Sequence, residues 1–341
     1  MPSDVIDEKP ATKSKRGKIL TLKDAVARFT KDGIQYAPGS GLPVGSESVA
    51  LGRELVRQGR KNLHVVSNCS SQQLNLLCAA GAVTKAEVGF SGLEVYGFAN
   101  GLRRAVESGQ TILEDYSNLT MTLRFLGGAL NWPFVPTITN IGSDIQWYEA
   151  ANPDEYPSKS KIPLIKDPFT GKTLGALRPL KPDVAAIHVT FSDPNGNAVL
   201  LGTEWSRFEL SRAAKKVILV ADHIVSTDLA RQYPNLIRIP DIVVDAVVHA
   251  PFAAWPQSSP GLYDSDEEHM KLMNAALKTV EGYEDYKRKF VDPVETSADI
   301  RKLIGEEKIE KLTHGPTRFL ADPFRKWILS DEAVAELTEG K

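Results

Sequence analysis

The residues with the clearest chemical potential form a glycine-dense turn, Pro38-Gly39-Ser40-Gly41-Leu42-Pro43-Val44-Gly45. It lies between a short extended run over 34–37 and a helical pattern over 46–58, with a buried-strand pattern over 62–67 beyond. A glycine turn entering a helix leaves backbone N–H groups pointing outward at a positive helix end. Such donors suit a phosphate, a carboxylate or the oxyanion of a thioester under attack. A dinucleotide fits less well. The spacing G-x-G-x-x-x-G is one residue longer than the dinucleotide fingerprint, and Pro43 stands where a pyrophosphate needs an N–H. The next strand ends Val65-Val66-Ser67-Asn68-Cys69, without the acid that holds a ribose. A nicotinamide oxidoreductase is therefore the weaker reading, and the glycines can equally serve only to turn the chain.

Other reactive residue types have structural explanations. Glu114 and Asp115 precede a helical pattern, where acids are stabilised by the helix dipole. His188 lies within an apolar strand pattern and His249 at the end of another. Neither has a partner at metal-ligand spacing, so both read as hydrogen-bonded buried histidines, with no metal site. Cys69 and Cys78 lack C-x-x-C spacing and build no disulfide framework, which points to a reducing cytoplasm. Trp132, Trp147 and Trp255 read as packing residues, with Trp255 in a segment placed to line a cleft. The acidic run 264–268 reads as a helix N-terminus.

The elements that must position these groups follow an α/β rhythm. Residues 21–32 form an amphipathic helix pattern that Thr21 can cap and Gly33 ends. Helical patterns recur at 71–80, 100–107, 119–130 and 207–215. Strand patterns recur at 86–90, 111–113, 134–139, 184–191, 217–221 and 242–249. Short connections between them predict an open, mainly parallel sheet with flanking helices. Asp193-Pro194-Asn195-Gly196-Asn197 predicts a hairpin turn after the 184–191 strand. A proline-rich insertion at about 141–180 breaks the rhythm and is long for a plain connection, so it is expected to border a site or a partner. The expected organisation is a flexible tail over 1–18 without a signal-peptide core, one domain over 19–290, and a helical segment over 291–341. With 42% hydrophobic residues, the 341-residue chain can bury a substantial core. Its net charge of −2 gives no footprint for nucleic acid or an anionic membrane, and no run reaches membrane-span length.

Several motifs, in order, carry a resemblance. They are the glycine turn, Glu114-Asp115-Tyr116-Ser117, Pro133-Phe134-Val135-Pro136, and Asp183 to His188 followed by the Asp-Pro-Asn-Gly turn. Residues 243–248 and Pro260-Gly261-Leu262-Tyr263-Asp264 complete the set. Together they resemble the α subunit of a family I CoA-transferase of the glutaconate type. The resemblance implies a coenzyme A thioester as substrate, no tightly bound cofactor, and oxyanion or CoA contacts from Gly39, Ser40 and Gly41. It implies a cleft lined by Ser67, Asn68, Trp255 and Tyr263. It also implies a homologous β subunit carrying the nucleophilic glutamate, in an (αβ)2 or larger assembly, because the strand ending Ser67-Asn68-Cys69 has no carboxylate. The arginine that glutaconate-type chains carry just after the turn is absent. The next is Arg53, so a bulkier or less charged acyl group than glutaconate is expected. A related branch of ring-opening CoA-thioester hydrolases uses an α-subunit glutamate near Glu114, with Asn118 as the other position that could align with it.

Overall fold

The computed structural model describes residues 17–42, 45–147, 158–313, 315 and 318–339. Most of the expected tail, Pro43 and Val44 of the glycine turn, and part of the proline-rich insertion lie outside these residues.

The expected sheet is present. Eight parallel strands stand in the order β1 (Ile19–Leu20), β12 (Ala246–His249), β11 (Val217–Ile224), β9 (Val184–Ser192), β2 (Gln35–Ala37), β3 (Leu63–Cys69), β4 (Val83–Phe90) and β5 (Ile112–Asp115). A ninth, β10 (Ala198–Val199), pairs antiparallel with β9 across the expected hairpin. There the Asp193 carboxylate accepts the N–H groups of Asn195, Gly196 and Asn197 at 2.8–3.0 Å. All nine residues of β9 are buried, which only a strand covered on both faces can tolerate.

One face is covered by α1 (Leu22–Phe29), α2 (Val49–Arg57), α3 (Gln72–Ala79) and α4 (Asn100–Glu107). Their apolar sides enclose Tyr36, Val65, Ala86 and Ile218. Thr21 caps α1 as its sequence predicts, accepting the Asp24 N–H at 3.1 Å. The other face is covered chiefly by α5 (Asn118–Ala129) and the helix Arg207–Ala213, over Val66, Ile187 and Leu219. The C-terminal helices do not stand apart. Val334 of the last helix joins the core beneath β1, and Leu329 donates its N–H to Ile224 at 2.9 Å.

Three expectations differ. The 134–139 pattern yields β6 (Val135–Thr137), which leaves the main sheet. It pairs antiparallel with β8 (Thr173–Leu177), which also pairs with β7 (Leu164–Lys166), so the insertion builds its own small sheet. Trp132 and Trp147 are exposed on and beside this unit rather than packed. Residues 242–249 divide into a single 3-10 turn and β12, because Asp245 is occupied by the Val217 N–H and the Lys216 ammonium before the ladder begins.

Candidate active site

In a parallel sheet all the strand-to-helix loops emerge at one end, so β2, β3 and β4 present their C-terminal loops together. The glycine turn follows β2 at that end. Gly39 adopts φ +77°, and a Cβ there would stand 2.9 Å from the Ala186 carbonyl of β9. The turn thus passes too close to the neighbouring strand for any other residue. Gly39→Ala is expected to cost about 1–3 kcal/mol through backbone strain and this contact, measured as a lower urea midpoint at unchanged slope.

The turn is held from beneath by a buried cation. One nitrogen of Arg207, Nη2, donates to the carbonyls of Ser40 and Ser46, both at 2.7 Å, and to Ser46 Oγ at 2.9 Å. Burial lowers the Arg207 pKa to about 10, so it remains a cation at neutral pH. Ser40 Oγ lies 3.2 Å from Ser206 Oγ. Ser67 Oγ reaches the carbonyls of Cys69 at 2.7 Å and Gly39 at 3.0 Å, tying the turn to β3.

Behind the turn stands a carboxylate that sequence reasoning missed. Glu47 is fully buried. Its Oε1 accepts the Ser71 N–H at 3.0 Å, and its Oε2 accepts the Gln73 N–H at 3.2 Å and Gln257 Nε2 at 3.3 Å. Its own N–H donates to Gln257 Oε1 at 2.7 Å. Burial nevertheless raises its pKa to about 7. Neither Glu47 nor Arg207 belongs to a periodic signal, and their partners lie up to 210 residues away.

The predicted residues are brought together in part. Gly39, Ser40, Gly41, Ser67 and Asn68 are contiguous, with Asn68 Oδ1 accepting the Cys69 N–H at 2.8 Å. The Gly41 N–H donates to the Cys69 carbonyl at 3.2 Å and is therefore occupied. The N–H groups of Ser40 and Leu42 have no acceptor among the described residues.

Trp255 and Tyr263 are buried rather than open to a cleft within this chain. Trp255 Nε1 donates to Asp266 at 3.1 Å, and the ring lies under the Arg53 guanidinium. The Tyr263 hydroxyl donates to Asp222 at 3.2 Å and accepts the Ala254 N–H at 3.2 Å. Asp222 also pairs with His188 Nε2 at 2.8 Å, so this histidine is satisfied by a carboxylate on the next strand. No cluster of metal-ligating side chains occurs among the described residues.

Glu114 is not at a helix start. It lies within β5, buried, beside Glu87 in the ladder, with Lys85 Nζ at 3.6 Å and Lys161 Nζ at 3.9 Å. The side chain that stands at the end of β3 is Asn118, at the exposed start of α5. Its Oδ1 accepts from Cys69 Sγ at 3.3 Å. Burial pushes the Cys69 thiol up to about 12, which keeps it protonated and a poor nucleophile.

Comparison with known proteins agrees with this geometry. The sequence model described as Coenzyme A transferase matches residues 19–250. An uncharacterized protein of Archaeoglobus fulgidus is 36% identical over 298 residues, covering 86% of this chain, which spans 64% of that protein's length. One of the subunits of glutaconate CoA-transferase from Acidaminococcus fermentans is 27% identical, over 86% of this chain and 94% of its own length. The crystal structure of glutaconate coenzyme A-transferase from the same organism superimposes with a TM-score of 0.83 at 26% identity, covering 88% of this chain and 96% of that one. With its parallel sheet, its turn after β2 and a family match that spans both, the chain belongs to the coenzyme A transferase family.

Proposed function

We propose that this chain is the α-type subunit of a heteromeric acyl-CoA:carboxylate CoA-transferase whose nucleophilic glutamate resides on a β-type partner. The observation that carries the reading is the chemistry at the end of β3. Among the described residues, the end of β3 offers a protonated thiol, Cys69, with the Asn118 amide on it, and a hydroxyl, Ser67, that is engaged by the carbonyls of Gly39 and Cys69. The nearby carboxylate, Glu47, is buried and accepts three hydrogen bonds, so it cannot attack a thioester. A chain built to hold an oxyanion but lacking a nucleophile needs one from outside. Exposed Phe90 ends β4, Val95 and Phe98 follow it, and together they give a partner apolar surface to cover.

In this reading the partner's glutamate attacks the thioester carbonyl and CoA leaves as thiolate, forming a mixed anhydride. The thiolate then attacks the glutamyl carbonyl, releasing the first carboxylate and leaving a glutamyl-CoA thioester. An acceptor carboxylate repeats the two steps in reverse. The Ser40 and Leu42 N–H groups hold the oxyanion, with Arg207 fixing the carbonyl side of the turn. Exclusion of water at the subunit interface protects the anhydride. The complex is (αβ)2 or larger, and the free, buried thiols of Cys69 and Cys78 suit a reducing cytoplasm.

The test is co-expression with a β-type chain encoded beside this one, followed by incubation with acyl-CoA and then borohydride. The expected result is no turnover by the isolated chain, activity in the complex, and a reduced glutamyl adduct mapped to the partner. Activity of this chain alone, or an adduct on Glu114, would overturn the reading. A broken carbon–carbon bond with water as acceptor and no adduct would assign it to the ring-opening hydrolases. Amide chemistry at Asn118 argues against that outcome, because an amide cannot serve as a general base.

A further inference from the structure

A cavity of about 520 Å³ lies away from the glycine turn, between β1, the loop after β12, α2 and two C-terminal helices (Ser297–Ile304 and Asp331–Glu339). In the sheet order β12 stands three strands from β2, an offset of roughly 14 Å at about 4.8 Å per strand. Its inner wall is apolar, with Ile19, Phe252, Val294, Ile300 and Val334 all buried. Arg53 also lines it. This side chain is 1% exposed, and among the described residues no carboxylate pairs with it. One nitrogen, Nη2, donates to the Trp255 carbonyl at 3.1 Å, whereas Nε and Nη1 find no hydrogen-bond partner. Its other close neighbours are the Trp255 ring, 5.0 Å from the guanidinium carbon, and the Tyr286 hydroxyl, which accepts a further hydrogen bond from it.

A desolvated guanidinium with two unused donors and no counter-ion is costly, and an arriving anion removes that cost. The acids of the cavity, Glu295 and Asp331, both stand at its exposed rim. An anionic head is favoured beside Arg53, with its apolar body against the surrounding wall, and the helix N-termini capped by Thr21 and Thr296 line the same cavity with like polarity. We propose that this cavity binds an amphipathic monocarboxylate, aliphatic or aromatic, through Arg53. The site is separate from the thioester site and does not depend on the proposed transfer. A planar guanidinium with adjacent free donors also matches a carboxylate better than a neutral headgroup.

Calorimetric titration of the full chain with octanoate and with octan-1-ol tests this directly. Octanoate is expected to bind at one per chain and more tightly than the alcohol. Arg53→Met keeps an unbranched apolar stem of four heavy atoms and removes the guanidinium and its charge. It is expected to weaken octanoate roughly tenfold or more while leaving octan-1-ol unchanged. Ala335→Trp, an exposed position on the rim, is expected to weaken both and does not touch the core. Unliganded Arg53→Met is expected to melt no lower than the parent chain, since a buried unpaired charge is exchanged for an apolar side chain. Failure of octanoate to bind saturably, or equal affinity in the parent and Arg53→Met chains, would overturn the proposal. Neither result would bear on the thioester trapped in the α/β complex.

Discussion

Replacing Arg124 with leucine is expected to destabilise the chain by about 3–5 kcal/mol, the usual cost of stranding a buried charge. Arg124 is 2% exposed on α5, and its Nη1 lies 2.7 Å from Glu87 Oε2. Its Nε donates to the Arg178 carbonyl at 2.9 Å, and its guanidinium carbon stands 4.2 Å from the centre of the Tyr116 ring. The other Glu87 oxygen is shared by His64 Nε2 at 2.8 Å and Lys85 Nζ at 3.2 Å. Burial alone would push the Glu87 carboxyl up, but Arg124, His64 and Lys85 outweigh it and hold it well below the usual carboxylate range. A carboxylate depressed in the folded state stabilises above its unfolded value, near 4.5, and that stability is lost as pH falls through the folded value. The penalty of Arg124→Leu should therefore be largest at neutral pH and shrink in acid, where Glu87 takes up a proton. Urea unfolding at pH 7 and below pH 4 measures both. The double variant Arg124→Leu with Glu87→Leu should recover much of the loss, because the stranded charge has gone. Additive losses in the double variant would mean that the pair is not coupled.

The same network explains what the sequence can and cannot disclose. Helices with local punctuation are legible, as with Thr21 before α1 or the Asp193 turn after β9, because their hydrogen bonds close within a few residues. The parallel sheet is legible from β9 and β11, whose mainly apolar runs, with His188 and Asp222 paired to each other inside them, only a doubly covered strand can bury. Glu114 is misread from its neighbours. An acid pair before a helix pattern looks like a first turn, but β5 continues through Asp115 because Lys85 and Lys161 compensate Glu114 from elsewhere in the chain. β6 reads as part of the main sheet because a short apolar run does not name its partner, and β8 lies about 40 residues downstream. Within the site, the glycines are legible because their conformational demand is local. Arg207 is not, since its acceptors are Ser40 and Ser46, which precede it by more than 160 residues.

Glu47 is the least legible residue of the site, and its substitution has the second large expected effect. A helix starting at Ser46 would make it an ordinary first-turn acid. Instead α2 begins at Val49, and Glu47 turns inward beneath the glycine turn, where a Cβ on Gly41 would meet its Cγ at 3.0 Å. Its pKa rises from 4.5 to about 7, because burial outweighs the hydrogen bonds from Gln73, Ser71 and Gln257. The folded chain therefore keeps a proton that the unfolded chain releases between these values. The stability this group contributes is complete below about pH 4.5 and is lost as pH rises through about 7. At 1.36 kcal/mol per unit, the loss amounts to about 3 kcal/mol. Glu47→Gln removes the titration and leaves a neutral side chain of the same shape. Because the amide nitrogen replaces an oxygen that accepts from Ser71 or from Gln73, the variant is expected to start below the parent near pH 5 and to gain on it by pH 8, so that its stability profile between pH 5 and 8 is flatter. Urea midpoints at the two pH values measure this, and parallel profiles would show that Glu47 does not titrate in that range. In the α/β complex, ionisation of Glu47 would place a charge directly behind the oxyanion donors and oppose the charge that develops there. Acyl transfer by the parent complex should accordingly decline above about pH 7, and the decline should be absent in Glu47→Gln.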